Sequence, residues 1–221
     1  MAYRSSLTAG VGASAANATF ASAPAGSAVD DIAVVGIYKE STAAITAPSG
    51  WASKAALTTS ATARGSLEVY WKRLVLADLS GSWVFSWTGA VWRGGLAGSW
   101  SGRITTGDPF DGTPGTAESV AGVTTLNVAA TPATALGDAV GFWTNFNGGG
   151  AFTQPTNYLE RQDISVITLD TRDAIAAGAT GNVTATCTIT DFMKAFLGVL
   201  APAGAVTAKA PATISPYNSY H

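Results

Sequence analysis

Alternation of apolar and polar positions dominates the chain and predicts β-strands. Residues 67–73 (LEVYWKR) place Leu67, Val69 and Trp71 on one face of a strand. Residues 182–190 alternate apolar side chains with threonines, a pattern typical of a strand with one solvent-facing side. Residues 32–37 and 196–200 are instead apolar at almost every position. These two runs predict strands that are buried on both faces.

About ten strands are expected, and no window carries a clean helical stripe of apolar residues. This pattern, with Gly, Pro, Asp and Ser at the breaks, predicts an all-β protein: an antiparallel β-sandwich, jelly-roll-like, with extended N- and C-terminal arms. The predicted strands are residues 17–21, 31–39, 66–75, 82–87, 91–105, 119–129, 139–146, 164–170, 183–190 and 192–200.

The length of 221 residues suits one large domain, which we place at residues 17–201. Residues 1–16 are expected to form an N-terminal arm and residues 202–221, rich in Ala and Pro, an extended C-terminal arm. Such a segment is ordered when it lies against its own domain or a neighbouring subunit. The expected contact residues are Ala201, Pro202, Lys209, Pro211, Pro216, Tyr217 and Tyr220.

The composition is unusual in its charge. Charged residues make up 12% of the chain, against roughly 25% in a typical soluble domain. Ala, Gly, Ser and Thr together fill about half of it. Twelve Lys and Arg against fourteen Asp and Glu give a net charge of −2, which disfavours a nucleic-acid partner. No apolar run is long enough to span a bilayer, and Met1 is not followed by a secretory signal pattern.

Few side chains are available for classical catalysis. The one histidine is the last residue, His221, so Ser-His-Asp and Cys-His arrangements have no internal base. The one cysteine, Cys187, falls on the apolar side of its strand and is expected to be an inert core thiol. Two carboxylates would suffice for a glycosidase, but no pair can be placed in a cleft from the sequence. We expect no enzymatic activity and no cofactor.

Two acidic residues in residues 106–113 allow two interpretations. Asp108 and Asp111 lie within four residues of each other and are weak candidates for calcium ligands. The alternative is an Asx turn, in which an aspartate side chain accepts a backbone N–H bond while Pro109 restricts φ.

The tryptophans also have two interpretations. Trp83 and Trp87 project from one face of a predicted strand, and Trp92 and Trp100 follow in the next. If exposed, this row would form a stacking platform for sugar rings. If buried, it would fill the aromatic centre of a large β core, which a sandwich of this size requires.

The chain carries, in this order, the motifs AYRSS (2–6), APAGSAVDD (23–31), PSGW (48–51), LEVYWK (67–72), FSW (85–87), DPFD (108–111) and a terminal apolar strand ending at Pro202. Together these motifs resemble a family of β-sandwich virion proteins of tailed bacteriophages, especially those that infect actinobacteria. In that family the proteins are minor tail or head decoration proteins. The resemblance spans about residues 2–202; where this chain has Asp30-Asp31, family members commonly have Gly-Asp, so the turn there differs.

The resemblance implies a structural protein without catalytic or cofactor-binding residues. In one hypothesis it is a decoration (cement) protein on the capsid exterior, made in the host cytoplasm, that binds the major capsid protein and stabilises the shell. The protein is also expected to bind further copies of itself as a homo-oligomer, and the resemblance suggests a trimer on local threefold axes. In the alternative it is a tail-tip module that binds host glycan through Trp83, Trp87, Trp92 and Trp100.

Overall fold

A computed structural model of the chain describes residues 2–58, 65–146 and 149–204, with the backbone alone at position 13. The predicted all-β antiparallel sandwich is confirmed. The elements of the described chain are β1 (Ala2–Phe20), β2 (Ile32–Lys39), β3 (Ala52–Leu57), β4 (Ser66–Arg73), α1 (Leu76–Ser80), β5 (Trp83–Ser101), β6 (Gly115–Glu118), β7 (Val123–Val128), β8 (Gly137–Asn145), β9 (Phe152–Thr153), β10 (Leu159–Asp163), β11 (Ile167–Ile175), β12 (Val183–Asp191) and β13 (Met193–Leu200).

The strands form three sheets. The first sheet has the order β1-β5-β2-β4-β3, the middle sheet β10-β11-β8-β13-β6, and the third sheet β7-β12-β9. The middle sheet has a core on each face, and β8 and β13 are buried at every position. The continuous apolar run at residues 196–200 is therefore explained, because neither face of β13 meets solvent.

The main core lies between the first and middle sheets. Ile32 and Val34 of the first sheet pack with Val140 and Phe142 of the middle sheet, all fully buried. Gly36 faces the same core, and a Cβ at this position would collide with the ring of Phe142. The glycine thus lets a large ring approach the backbone of β2.

The second core lies between the middle and third sheets. Trp143 and Leu197 pack there with Val183 and Cys187. Cys187 is buried, as predicted, and the threonines that alternate with the apolar residues of β12 point outward. The inward side chains of β12 are small, which leaves room for Trp143 opposite them.

The expected N-terminal arm at residues 1–16 is instead part of the first sheet. β1 pairs with β5 from Ala2↔Ser101 to Phe20↔Trp83. A Cβ on Gly95 would touch the ring of Phe20, although Gly95 lies twelve positions beyond Trp83 in the same strand. The β1–β5 ribbon therefore folds back over the outer face of the first sheet and buries a third apolar cluster. Without β1, one edge of β5 would be unpaired along its length.

The strands predicted at residues 82–87 and 91–105 form one bent strand, β5. Its exposed bend includes Gly89 at φ 85°, a conformation that favours glycine. The prediction missed β3, β6, β9 and β10, which are short and carry few β-branched residues. No helix in the described chain is long and apolar enough to cross a membrane.

Candidate functional site

Asp108 and Asp111 bind different partners. The Asp108 carboxylate accepts the backbone N–H of Phe110 at 2.9 Å, which is an Asx turn, and pairs with Lys54 at 2.7 Å. The Asp111 carboxylate instead accepts the backbone N–H of Thr134 at 2.6 Å and its hydroxyl at 2.8 Å. Asp108 therefore fixes its own turn, and Asp111 fastens the turn to a second loop.

The tryptophan row predicted as one of two alternatives is core at three of its four positions. Trp83 and Trp87 are buried in the third cluster, beneath the folded ribbon, and Trp100 is buried in the main core. Trp51 packs edge-on against Trp83 with ring centroids 4.9 Å apart. Trp92 alone of the four is exposed, at 38%. A row of stacking surfaces is therefore absent at these four positions.

The predicted contact residues of the C-terminal segment divide into two groups. Ala201 is buried, and Pro202 forms an isolated bridge with Arg103. The N–H of Ala203 donates to the carbonyl of Gly102 at 2.9 Å, so the chain is attached to the body up to this point. The remaining predicted residues, Lys209, Pro211, Pro216, Tyr217 and Tyr220, lie outside the described residues.

Exposed apolar side chains gather at the end of the first sheet where the chain reaches Ala203. Val29, Val75 and Leu76 are 47%, 52% and 75% exposed, and we call them the apolar end patch. Two backbone hydrogen bonds of 2.9 Å between residues 30–31 and Leu74 hold their loops side by side. Ile32 pairs with Trp100, two residues before Gly102, which places the patch at the same end of the sheet as Gly102 and Ala203. Three exposed apolar side chains at one end of a sheet form a candidate surface for contact with a partner.

Charged side chains are also buried inside the sandwich. Lys39 is fully buried and pairs with Glu68 at 3.1 Å, and the hydroxyl of Tyr70 donates to Glu68 at 2.7 Å. Burial lowers the pKa of Lys39, and the carboxylate of Glu68 partly offsets this shift. Arg103 forms a buried ion pair with Asp138. Both ion pairs connect strands or loops inside the body, so neither is exposed at the surface.

A polar cavity of about 260 Å³ opens between the middle and third sheets. One wall is the turn before β10, closed by a 3.0 Å bond from the N–H of Tyr158 to the carbonyl of Pro155. Asn157 occupies the left-handed region in this turn at φ 67°, which asparagine tolerates well. Arg172 of β11 forms another wall. The lining residues are Pro155, Thr156, Asn157, Tyr158, Arg172, Thr180, Asn182, Val183 and Thr184.

The side chains behind this cavity are unusual for a sheet interior. Tyr158 is 5% exposed, and its hydroxyl has no hydrogen-bond partner among the described residues. Asp170, two residues before Arg172, is fully buried and leaves one carboxyl oxygen unpaired. Burial raises the pKa of Asp170 to about 8, and the charges of Glu160 and Asp163 add to this shift. Asp170 is therefore mostly neutral at pH 7.

Sequence reasoning missed Tyr158 and Arg172. Thr168, Asp170 and Arg172 occupy alternate positions of β11 on the side that faces the second core, where β8 presents Trp143, Gly141 and Ala139. The sequence of residues 167–172 does show this alternation, with polar side chains at every second position of a strand. It does not identify the site by itself, because nothing in the sequence shows which face of that strand is covered.

The described residues contain no group of three or more His, Cys, Asp or Glu side chains placed to hold a metal ion. Comparison of the chain with protein-family models, with curated proteins and with solved structures gave no match.

Proposed function

We propose that this protein is a structural component of a tailed-bacteriophage virion, a capsid decoration protein that binds the outside of the major capsid shell and stabilises it. Its partners are the major capsid protein and further copies of itself, assembled as a trimer. It performs no catalysis and needs no cofactor. The motif resemblance and the low charge of the chain support this role, because a surface with few charges is covered at little desolvation cost.

The observation that carries the proposal is the apolar end patch beside the point where the chain reaches Ala203. Covering an exposed Val or Leu side chain stabilises an interface by about 1.5–3 kcal/mol at most. Three such side chains give a contact that is weak for one copy. Many copies arrayed on a shell, each joined to its neighbours, convert weak contacts into strong overall attachment.

The body of the protein suits a mechanical role. Three stacked sheets with two intervening cores form a body in which the central strands are buried on both faces. Buried ion pairs such as Lys39–Glu68 are satisfied by partners inside the body. Such a body transmits load between contacts at its surface without large internal rearrangement.

The decisive experiment adds purified protein to undecorated capsids of the phage that encodes it and measures occupancy by co-sedimentation and electron cryomicroscopy. We expect saturable binding to the capsid exterior. Replacing Leu76 with Gln should lower occupancy several-fold while the melting temperature stays unchanged. The matched control is Leu136→Gln, because Leu136 is similarly exposed, at 58%, but lies outside the patch. Absence of capsid binding by the unmodified protein would overturn the proposal.

Copy number distinguishes decoration from a tail location. Quantitative mass spectrometry of purified virions should find hundreds of copies per particle, whereas a tail-tip protein would be present in a handful.

Truncation after Gly204 tests the C-terminal segment separately. We expect the truncated protein to remain folded and to bind capsids more weakly. Unchanged occupancy would show that the segment is not part of the contact.

A further inference from the structure

The edge of the third sheet is fastened to the middle sheet by one carboxylate. Asp163, the last residue of β10, accepts the backbone N–H of Phe152 in β9 at 2.9 Å. Its other oxygen accepts the N–H of Ser165 at 2.8 Å. Phe152 in turn pairs with Cys187 of β12, and both side chains are buried in the second core. Asp163 therefore holds β9 in place over that core.

Asp170 of β11 lies close to this attachment. Its side chain is fully buried, and one carboxyl oxygen accepts the hydroxyl of Thr168 at 3.3 Å. The other oxygen has no hydrogen-bond partner among the described residues, and their six ion pairs do not include Asp170. Burying a carboxylate without a cation or a full set of donors is costly. The closed fold is therefore compatible with Asp170 only in its protonated form.

The strand next to Asp170 places two further acids beside it. Glu160 of β10 pairs directly with Asp170, and Asp163 pairs with Thr168, the next residue on the same face of β11. Directly opposed residues of antiparallel strands have Cα atoms about 4.5–5.5 Å apart, and like charges at such positions destabilise the pairing. Burial raises the pKa of Asp170 to about 8, and the charges of Glu160 and Asp163 add to this shift.

The other groups around Asp170 supply no buried positive charge. β8 places Gly141 opposite it and has no titratable side chain on this face. Tyr158 stays protonated, because burial raises its pKa to about 12, and Cys187 contributes a thiol to the same core. Arg172 follows on the same face of β11, but its side chain is exposed, so solvent screens its charge.

We propose that Asp170 is a proton-dependent latch between the middle and third sheets. While Asp170 holds its proton, β9 and the turn at residues 155–158 stay on β10 and β11. When the proton is lost to solvent, β9 and this turn separate from them and the second core opens. Water then reaches the carboxylate, which removes the cost of burying its charge. The latch is separate from the proposed capsid contact, because the apolar end patch belongs to the first sheet.

The direction of the effect follows from proton binding by the two forms. In the open form the carboxyl is hydrated and ionises near its ordinary pKa of 3.8, whereas the closed form holds the proton up to about pH 8. Opening therefore becomes easier as pH rises. Each pH unit between these values increases the opening constant about tenfold, and the increase ends above about pH 8.

Cys187 makes the opening measurable, because it is the single cysteine of the sequence, is buried and pairs with β9. The test alkylates the full-length protein with iodoacetamide at pH 6, 7, 8 and 9 and follows the adduct by mass spectrometry. Asp170→Asn is alkylated in parallel, since the reactivity of the thiol itself changes with pH equally in both proteins. We expect the rate for the unmodified protein, relative to Asp170→Asn, to rise about tenfold from pH 6 to pH 7 and to level off above pH 8.

Two further variants assign the effect to these acids. Glu160→Gln removes the opposed carboxylate and should slow alkylation several-fold at pH 8. Asp108→Asn is the control, because Asp108 is an acid with a 49% exposed side chain that pairs with Lys54 instead. It should keep the pH dependence of the unmodified protein.

Urea separates local opening from global unfolding. A local opening exposes little surface, so 1 M urea should increase the alkylation rate about twofold or less, whereas global unfolding would increase it about fivefold or more. The larger increase would overturn the proposal, because the third sheet would then not open separately. A rate ratio to Asp170→Asn that is independent of pH would overturn it too, as would absence of alkylation up to pH 9. Equal rates for Glu160→Gln and the unmodified protein at pH 8 would remove the role of the opposed charge.

Discussion

Asp170 makes the stability of the protein depend on pH in an unusual direction. Its pKa is about 8 in the folded chain, against 3.8 for a free aspartate side chain, because the carboxyl is fully buried with Glu160 and Asp163 nearby. Between these values the folded state binds more protons at this site than the unfolded state. The contribution of Asp170 to the free energy of unfolding therefore falls as pH rises from about 4 to 8.

The magnitude follows from the size of the shift. Each pH unit within this window changes the free energy of unfolding by about 1.4 kcal/mol, so the step from pH 5 to pH 7 removes about 2.7 kcal/mol. Asp170→Asn cannot ionise and should abolish this component. Its buried amide has unsatisfied donors of its own, but their cost is independent of pH. The difference between the two proteins therefore isolates the ionisation of Asp170.

The assay is urea unfolding followed by tryptophan fluorescence at pH 5, 6, 7 and 8. The stability of Asp170→Asn relative to the unmodified protein should rise steadily across this series. Gly149→Ala is the control, because Gly149 has open space around it and the substitution changes no titratable group. Its difference from the unmodified protein should stay flat. A flat difference for Asp170→Asn as well would refute the argument from burial.

Three further substitutions test the core. Phe142→Ala should lower the free energy of unfolding by about 3–5 kcal/mol in urea, and a loss below about 1 kcal/mol would contradict its place in the main core. Gly36→Ala should lower the free energy of unfolding by about 1–3 kcal/mol, because the new Cβ would collide with the Phe142 ring. Gly149→Ala is its control and should leave the free energy of unfolding unchanged, because Gly149 has open space around it. Lys39→Met should lower the free energy of unfolding by about 3–5 kcal/mol, because it leaves the Glu68 carboxylate without its charged partner. Adding Glu68→Gln should recover part of this loss. Strictly additive losses for the two substitutions would argue against the ion pair.

The sequence predicts the strands whose covered faces are apolar. β2, β4, β12 and β13 were placed to within about two residues, because long β-branched or alternating runs define them. The sequence predicts an arm over most of β1, whereas the structure has a paired strand there. Its Ala, Ser, Gly and Thr residues have little strand preference of their own, and its pairing with β5 determines its conformation.

The cavity illustrates the other limit of sequence reasoning. Its walls come from the turn at residues 155–158, from Arg172 of β11, and from residues 180 and 182–184 at the start of β12. No local pattern reports that Tyr158 is buried while Arg172 remains unpaired, since both facts depend on how the third sheet covers the middle one. The tryptophans show the reverse case, because the volume of a large β core accounts for Trp83, Trp87 and Trp100 without any ligand.

The pairing of β1 with β5 also has a consequence for folding during synthesis. Ala2 finds its partner Ser101 only after about one hundred residues have left the ribosome. Until β5 is synthesised, the residues of β1 lack their partner strand. Segments whose backbone groups are unpaired in this way can pair with other chains and aggregate. A strand rich in Ile, Val and Phe would be hazardous in this position. The Ala, Ser, Gly and Thr residues of β1 have a low tendency to pair with strands of other chains. The small residues that dominate this chain therefore also lower the risk of aggregation before β5 is synthesised.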